Sequence, residues 1–197
     1  MPEDAFLLQE LMSGKPEAFA SLFDTYADRL YRLGMSLVGD PFEAEDIVQE
    51  AFLKAITHID HFQARSSLGT WLYRVVYNSS IDRLRRRVDI PLPEESDPDE
   101  NSLPMPEVLL EWHTPETLVI SNEGQDYLDQ AIQSLPESLR SVFVLRDIEE
   151  LSTAQTAEIL GIGESLVKVR LHRARLVLRE LLAVYFAERV PDKGKVL

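Results

Sequence analysis

Residues 88–113 read VDIPLPEESDPDENSLPMPEVLLEWH, with eight carboxylates, no lysine or arginine, and five of the chain's eleven prolines. Proline withholds the backbone donors that helices and sheets need, and a run of like charges repels itself. This stretch is therefore expected to be an acidic linker, and it divides the 197 residues into two segments of fewer than 90 each. Residues 1–87 form the expected first domain, 88–113 the linker and 114–197 the second domain. Each flanking segment has room for one small hydrophobic core.

Both segments carry helical periodicity. Phe19, Leu22, Phe23, Tyr26, Leu30, Leu33 and Leu37 recur at spacings of three and four, between Pro16, suited to a first helical turn, and Gly39, suited to a stop. Asp40-Pro41 caps a second helix running to about Ile59, and a third extends from about Ser67 to Arg87, with a short one near residues 4–13. In the second segment, Thr114-Pro115-Glu116 opens one helix and Pro136 another. Ser152-Thr153-Ala154-Gln155 is a capping box, and Gly161-Ile162-Gly163 breaks the chain before a last long helix. With only 8 glycines and 45% hydrophobic residues, the fold expected is all-α, two small helical domains joined by the acidic proline-rich linker.

Absence of cysteine excludes disulfides, thiolate metal sites and thiol catalysis. The start, MPEDAFLLQELMSG, lacks a signal-peptide pattern, and no apolar run reaches the roughly 18 residues of a membrane helix. The expectation is a cytoplasmic protein without membrane insertion. Its net charge of −14 argues at first against nucleic acid as a partner. Most of that imbalance is in the linker, however, and each flanking segment bunches its cations. Arg83, Arg85, Arg86 and Arg87 close the first, and Lys168, Arg170, Arg173, Arg175 and Arg179 fill one stretch of the second. Both bunches are candidate phosphate-facing patches.

Three surfaces follow from helical geometry. In the tail LSTAQTAEILGIGESLVKVRLHRARLVLRELL, two helices flank a short glycine turn, the pattern of a helix-turn-helix. Val167, Leu171, Ala174 and Leu178 form its buried face, so Ser165, Lys168, Val169, His172 and Arg173 point outward, with Arg170 and Arg175 on the flanks. Outward groups suit base edges in a major groove and the flanking arginines suit its phosphate walls. In the helix after Pro41, Ala44, Ile47, Val48, Ala51 and Ala55 make the core stripe, and Phe42, Asp46, Gln49, Glu50, Leu53 and Ile56 lie opposite. Carboxylates among large apolar groups describe a docking surface for a basic and apolar partner, unless another helix covers it. In the third helix Trp71, Arg74, Asn78, Asp82 and Arg85 share one side, while Leu68, Leu72, Val75, Val76 and Ser79 face inward. Asp82 and Arg86 are spaced as a helix ion pair. With the preceding polar loop HFQARSS, that side suits unstacked bases and single-strand backbone. His58 and His61 lack a third metal ligand, and no cofactor is expected.

At these residues the chain resembles an extracytoplasmic-function sigma factor, the small class of the sigma-seventy family that has only regions two and four. The resemblance spans roughly residues 7–88 and 115–186. It rests on GDPFEAEDIVQEAFLKAI, FQARSSLGTWLYRVVYNSSIDRLRRR and LSTAQTAEILGIGESLVKVRLHRAR, three blocks in family order. It implies a non-enzymatic transcription initiation factor that binds core RNA polymerase, reads minus-ten and minus-thirty-five promoter elements and helps open the DNA. Asp46, Gln49 and Glu50, flanked by Phe42 and Leu53, match the positions that dock on the clamp coiled coil of the largest polymerase subunit. The flap region of polymerase is implied as a further partner. Phe62, Gln63, Arg65, Ser66 and Ser67, with Trp71, Arg74, Asn78 and Arg85, match the surface that captures a flipped base and the melted minus-ten strand. Lys168, Val169, His172 and Arg173 match the minus-thirty-five reader, beside the outward Ser165, with Arg170 and Arg175 placed for phosphates. The family commonly has Thr-Val-Lys-Ser-Arg where this chain has Leu166-Val167-Lys168-Val169-Arg170, so a hydroxyl is missing from that reader. An anti-sigma protein is implied as the inhibitory partner.

The acidic linker mimics nucleic-acid charge and is expected to discourage DNA binding by the free protein. A second device is self-inhibition by packing the two domains over the linker, whose Val108, Leu109, Leu110 and Trp112 offer apolar surface to bury. Two other function classes compete. A stand-alone helix-turn-helix regulator leaves the acidic–apolar face and the Trp71–Asn78 face without a role. An enzyme on a helical carboxylate bundle lacks paired ligands, a nucleophile constellation and a phosphate-cradling loop.

Overall fold

The computed structural model describes residues 2–59, 66–87 and 122–189. The linker, the loop 60–65 and the expected helix start at Thr114-Pro115-Glu116 lie outside the described residues.

Eight α-helices make up the described chain: α1 (Pro2–Met12), α2 (Pro16–Val38), α3 (Pro41–His58), α4 (Leu68–Arg87), α5 (Asn122–Ser134), α6 (Glu137–Phe143), α7 (Thr153–Leu160) and α8 (Glu164–Arg189). The caps are those expected. Asp40 accepts a hydrogen bond from the Glu43 amide, and Ser152 and Gln155 bond reciprocally in a capping box. Gly39 and Gly161 end α2 and α7 at φ 67° and 68°, a left-handed conformation that costs glycine nothing and any other residue a Cβ clash.

Helix α2 packs against α3 and α4 in the first unit, with Leu22, Leu30, Leu33, Leu37, Ile47 and Leu72 at or near zero exposure. Burying each such side chain contributes roughly 1.5–3 kcal/mol. Two helices depart from the sequence pattern. Phe23, placed on the core stripe of α2 by spacing, is 52% exposed and rests its ring 4.9 Å from that of Phe52. On α4, Tyr73, Ser80 and Ile81 are buried, whereas Val75 and Ser79 are only partly so.

In the second unit α6 and α7 pack on α8, around Val142, Leu145, Ile159, Val167, Ala174 and Leu178. Between α6 and α7 the chain widens into a π-helical turn over Val144–Ile148, where the Glu149 amide bonds the Val144 carbonyl. Such single π turns concentrate at functional positions. The next residue, Glu150, takes φ 54°, the single positive-φ non-glycine among the described residues.

The two units are not separate in space. Helix α2 packs against α5, α6 and the π turn, and α4 packs against α7, so the buried side chains of both units form one contiguous hydrophobic cluster.

Candidate functional site

The docking face expected on α3 is open to solvent. Phe42 is 78% exposed, Leu53 60% and Ile56 50%, and Gln49 is also exposed. No helix among the described residues covers them. Phe23 extends the exposed apolar surface from α2, a contribution that spacing alone assigned to the core. The carboxylates are held from behind by α4. Arg83 reaches Asp46 at 3.5 Å and Glu50 at 3.1 Å, and Arg87 reaches Glu43 at 2.6 Å while donating to the Val38 carbonyl. Part of the basic run 83–87 is therefore spent inside the first unit, orienting acids rather than meeting phosphates.

On α4, Asn78 and Arg85 are exposed, and Trp71 and Arg74 are half-buried. Arg85 pairs loosely with Asp82 at 4.0 Å, in place of the expected Asp82–Arg86 pair. Ser67 turns its hydroxyl to the Thr70 amide and hydroxyl and so caps α4, while Ser66 stands half-buried beside it. Phe62, Gln63 and Arg65 fall outside the described residues, and so does His61. No group of three or more metal-ligating side chains occurs among the described residues.

On α8, Val167, Leu171, Ala174 and Leu178 are buried as the periodicity required. Ser165 and Lys168 are exposed, and Val169, Arg170, His172 and Arg173 are half-buried. Arg175 departs from the phosphate-flanking role drawn from the helix geometry. Its Nε and Nη2 donate to both oxygens of Asp147, at 2.8 and 2.7 Å, and this bond raises the guanidinium above its ordinary pKa. The pair ties α8 to the π turn, a bidentate geometry that adds direction as well as energy.

A fourth cluster was not legible in the sequence. Glu149, at the end of the π turn, is 1% exposed and takes all its side-chain partners from the first unit. Arg29 donates to Oε2 at 2.9 Å, Arg32 to Oε1 at 2.9 Å, and the Tyr73 hydroxyl to Oε2 at 2.7 Å, while Arg29 also bonds the Glu149 carbonyl. Burial, then the bond to this carboxylate, holds the Tyr73 hydroxyl protonated far above the ordinary tyrosine range. Around this node, Tyr77 donates to Glu137, Gln133 donates to the Met35 carbonyl, and Arg74 faces Glu158 at 3.7 Å.

The Sigma-70 region 2 family matches residues 22–89, and the Sigma-70, region 4 family matches residues 125–178. The chain is 38% identical over 176 residues to the ECF RNA polymerase sigma factor SigW of Bacillus subtilis (strain 168), covering 89% of this chain and 94% of that protein. This chain belongs to the ECF sigma factors. It is also 32% identical over 173 residues to the ECF RNA polymerase sigma-E factor of Escherichia coli (strain K12), across 87% of this chain and 90% of that one. Its fold is that of a solved structure of CnrH in complex with the cytosolic domain of CnrY, with a TM-score of 0.66, 23% identity and coverage of 92% and 97% of the two chains. The sigma factor RpoE co-crystallised with the anti-sigma factor NepR from Bartonella quintana gives a TM-score of 0.62 at 23% identity, over 84% and 97%. As an ECF sigma factor the chain directs RNA polymerase to promoters, a role in transcription initiation. Among the described residues no helix is long and apolar enough to cross a membrane.

Proposed function

We propose that the three helical faces divide the work of initiation. Phe42, Asp46, Gln49, Glu50 and Leu53 on α3 take the clamp coiled coil of the largest polymerase subunit. Trp71, Arg74, Asn78 and Arg85 on α4, with the loop 62–67, take the melted minus-ten strand, its flipped base included. Ser165, Lys168, Val169, His172 and Arg173 on α8 read the minus-thirty-five duplex, with Arg170 on phosphate. Arg175 drops out of the phosphate set, because both its charge and its geometry are committed to Asp147.

The observation that carries this reading is the α3 face. Three large apolar side chains are left in water beside two carboxylates that Arg83 pairs with from α4, a combination of exposed apolar and acidic groups that supports a docking face. A cation from the partner would replace Arg83 or join it. An anti-sigma protein covering the same faces is the inhibitory partner this reading adds, in line with the complex of RpoE with NepR.

Run-off transcription from a library of promoter fragments tests the proposal, comparing bacterial core polymerase alone, this protein alone and both together. Promoter-specific transcripts and permanganate-reactive thymines should arise only with both. Asp46→Arg should abolish polymerase binding, Asn78→Ala should spare binding but reduce thymine reactivity, and Arg173→Ala should weaken upstream selection alone. Sequence-selective duplex binding without any affinity for core polymerase would overturn it in favour of a stand-alone regulator.

A further inference from the structure

The two elements that the proposed function assigns to α4 and α8 lie about 25 base pairs apart by name, or about 85 Å of B-form duplex at roughly 3.4 Å per pair. In this structure the units that read them are packed together, α4 against α7 and α2 against α5 and α6. Tyr77 immediately precedes Asn78 on α4. Tyr77 also bonds Glu137 of the second unit at 3.2 Å, and Arg74 faces Glu158 of α7. A chain folded this way cannot engage both promoter elements at once. The observed arrangement is a closed one, and opening must break the contact between the units.

Beside the apolar packing of α2 on α5 and α6 and of α4 on α7, the buried polar contacts between the units converge on one group. Glu149 has lost its water, and its three side-chain donors all come from α2 and α4. A buried carboxylate that loses its partners is strongly destabilising unless it regains water, and here the route back to water is separation of the units. Conversely, without the carboxylate Arg29 and Arg32 are left as adjacent like charges against a second unit that no longer neutralises them. The turn is built to present this one side chain. The π turn shifts the register by one residue, and Glu150 accepts a left-handed φ of 54° directly after it. That conformation is strained for a residue with a Cβ.

We propose that Glu149 is a latch that closes the second unit on the first in the free chain, and that core polymerase engages this sigma factor only as Glu149 is released from Arg29, Arg32 and Tyr73. The inference rests on the promoter-directing role of the two units. It differs from self-inhibition over the linker, because Glu149, Arg29, Arg32 and Tyr73 all lie outside the linker, on the π turn's end, α2 and α4.

The chain has no cysteine, so Asp24→Cys on α2 and Glu180→Cys on α8, both exposed, accept a dye pair for energy transfer on the full-length protein. High transfer is expected for the otherwise unaltered chain, falling when core polymerase is added. Glu149→Gln should raise the open fraction at least tenfold, and the pair Arg29→Gln with Arg32→Gln should do the same from the other unit. Circular dichroism melting of each variant confirms that helices persist, and the double variant serves if Glu149→Gln does not fold. Glu149→Gln should also reach half-maximal polymerase binding at a several-fold lower concentration. Transfer that stays high in both variants, or that is low before any substitution, would overturn the latch. Because transfer needs neither DNA nor polymerase, loss of transfer on substitution together with no promoter-specific transcript supports the latch and rejects the promoter reading alone.

Discussion

Asp147 and Glu149 stand two residues apart at the same turn, the first half-buried and the second buried, each against arginine, yet they hold different things together. Asp147 pairs with Arg175 inside the second unit and fixes the helix-turn-helix to the π turn. Glu149 points the other way and pairs only across units. The alternation of a single helical turn thus separates a carboxylate that maintains a domain from one that maintains an arrangement of domains. The first should behave as part of the fold, the second as part of an equilibrium between closed and open forms.

That contrast breaks most readily at Asp147. Asp147→Asn leaves Arg175 without its bidentate partner and is expected to destabilise the second unit by about 2–3 kcal/mol, below the full cost of a broken buried pair because Arg175 is 28% exposed. Hydrogen exchange should show protection lost in α6–α8 and retained in α2–α4, and equal loss in both would show that Asp147 is no more local than Glu149. Tyr73→Phe removes one donor from Glu149 and keeps the ring. The closed form should weaken by about 1 kcal/mol, or about fivefold in the open-to-closed ratio by energy transfer, with little change in helicity. Unaltered transfer in this variant would place the whole latch on the arginines.

Smaller effects sharpen the picture. Glu150→Gly relieves the left-handed strain of the presenting turn and should raise stability by about 1 kcal/mol in thermal melts. A loss instead would mean that the side chain of Glu150 itself supports the turn. At the bottom of the scale, Asp82→Asn removes a pair that is 4.0 Å long and mostly exposed, so the melting curve should move by less than about 0.5 kcal/mol.

Local chemistry made most of the first layer legible. The caps at Asp40 and Ser152, the stops at Gly39 and Gly161, and the stripes Ala44–Ala55 and Val167–Leu178 are decided within one or two helical turns, and sequence displays those distances directly. The exposed apolar face of α3 was legible for the same reason, since large apolar groups opposite a complete core stripe have nowhere to go but outward. Phe23 failed that logic because a spacing of three or four fits both sides of a broad stripe, and the neighbouring helix filled only one of them. Arg175 failed it because a basic residue at a groove-flanking angle looks the same whether its partner is a phosphate or Asp147.

Periodicity, capping, the acidic stretch and the three motif blocks are all written in the amino-acid order and can be read there directly. The meeting of Glu149 with Arg32 and Arg29, across 117 and 120 positions of chain, is not written there. Helical pattern records which side of a segment is apolar, and it carries no record of which distant face will remove water from a given charge. That choice belongs to the packing of α2 and α4 on the second unit, where the partners of a buried carboxylate are set by shape and by the absence of solvent.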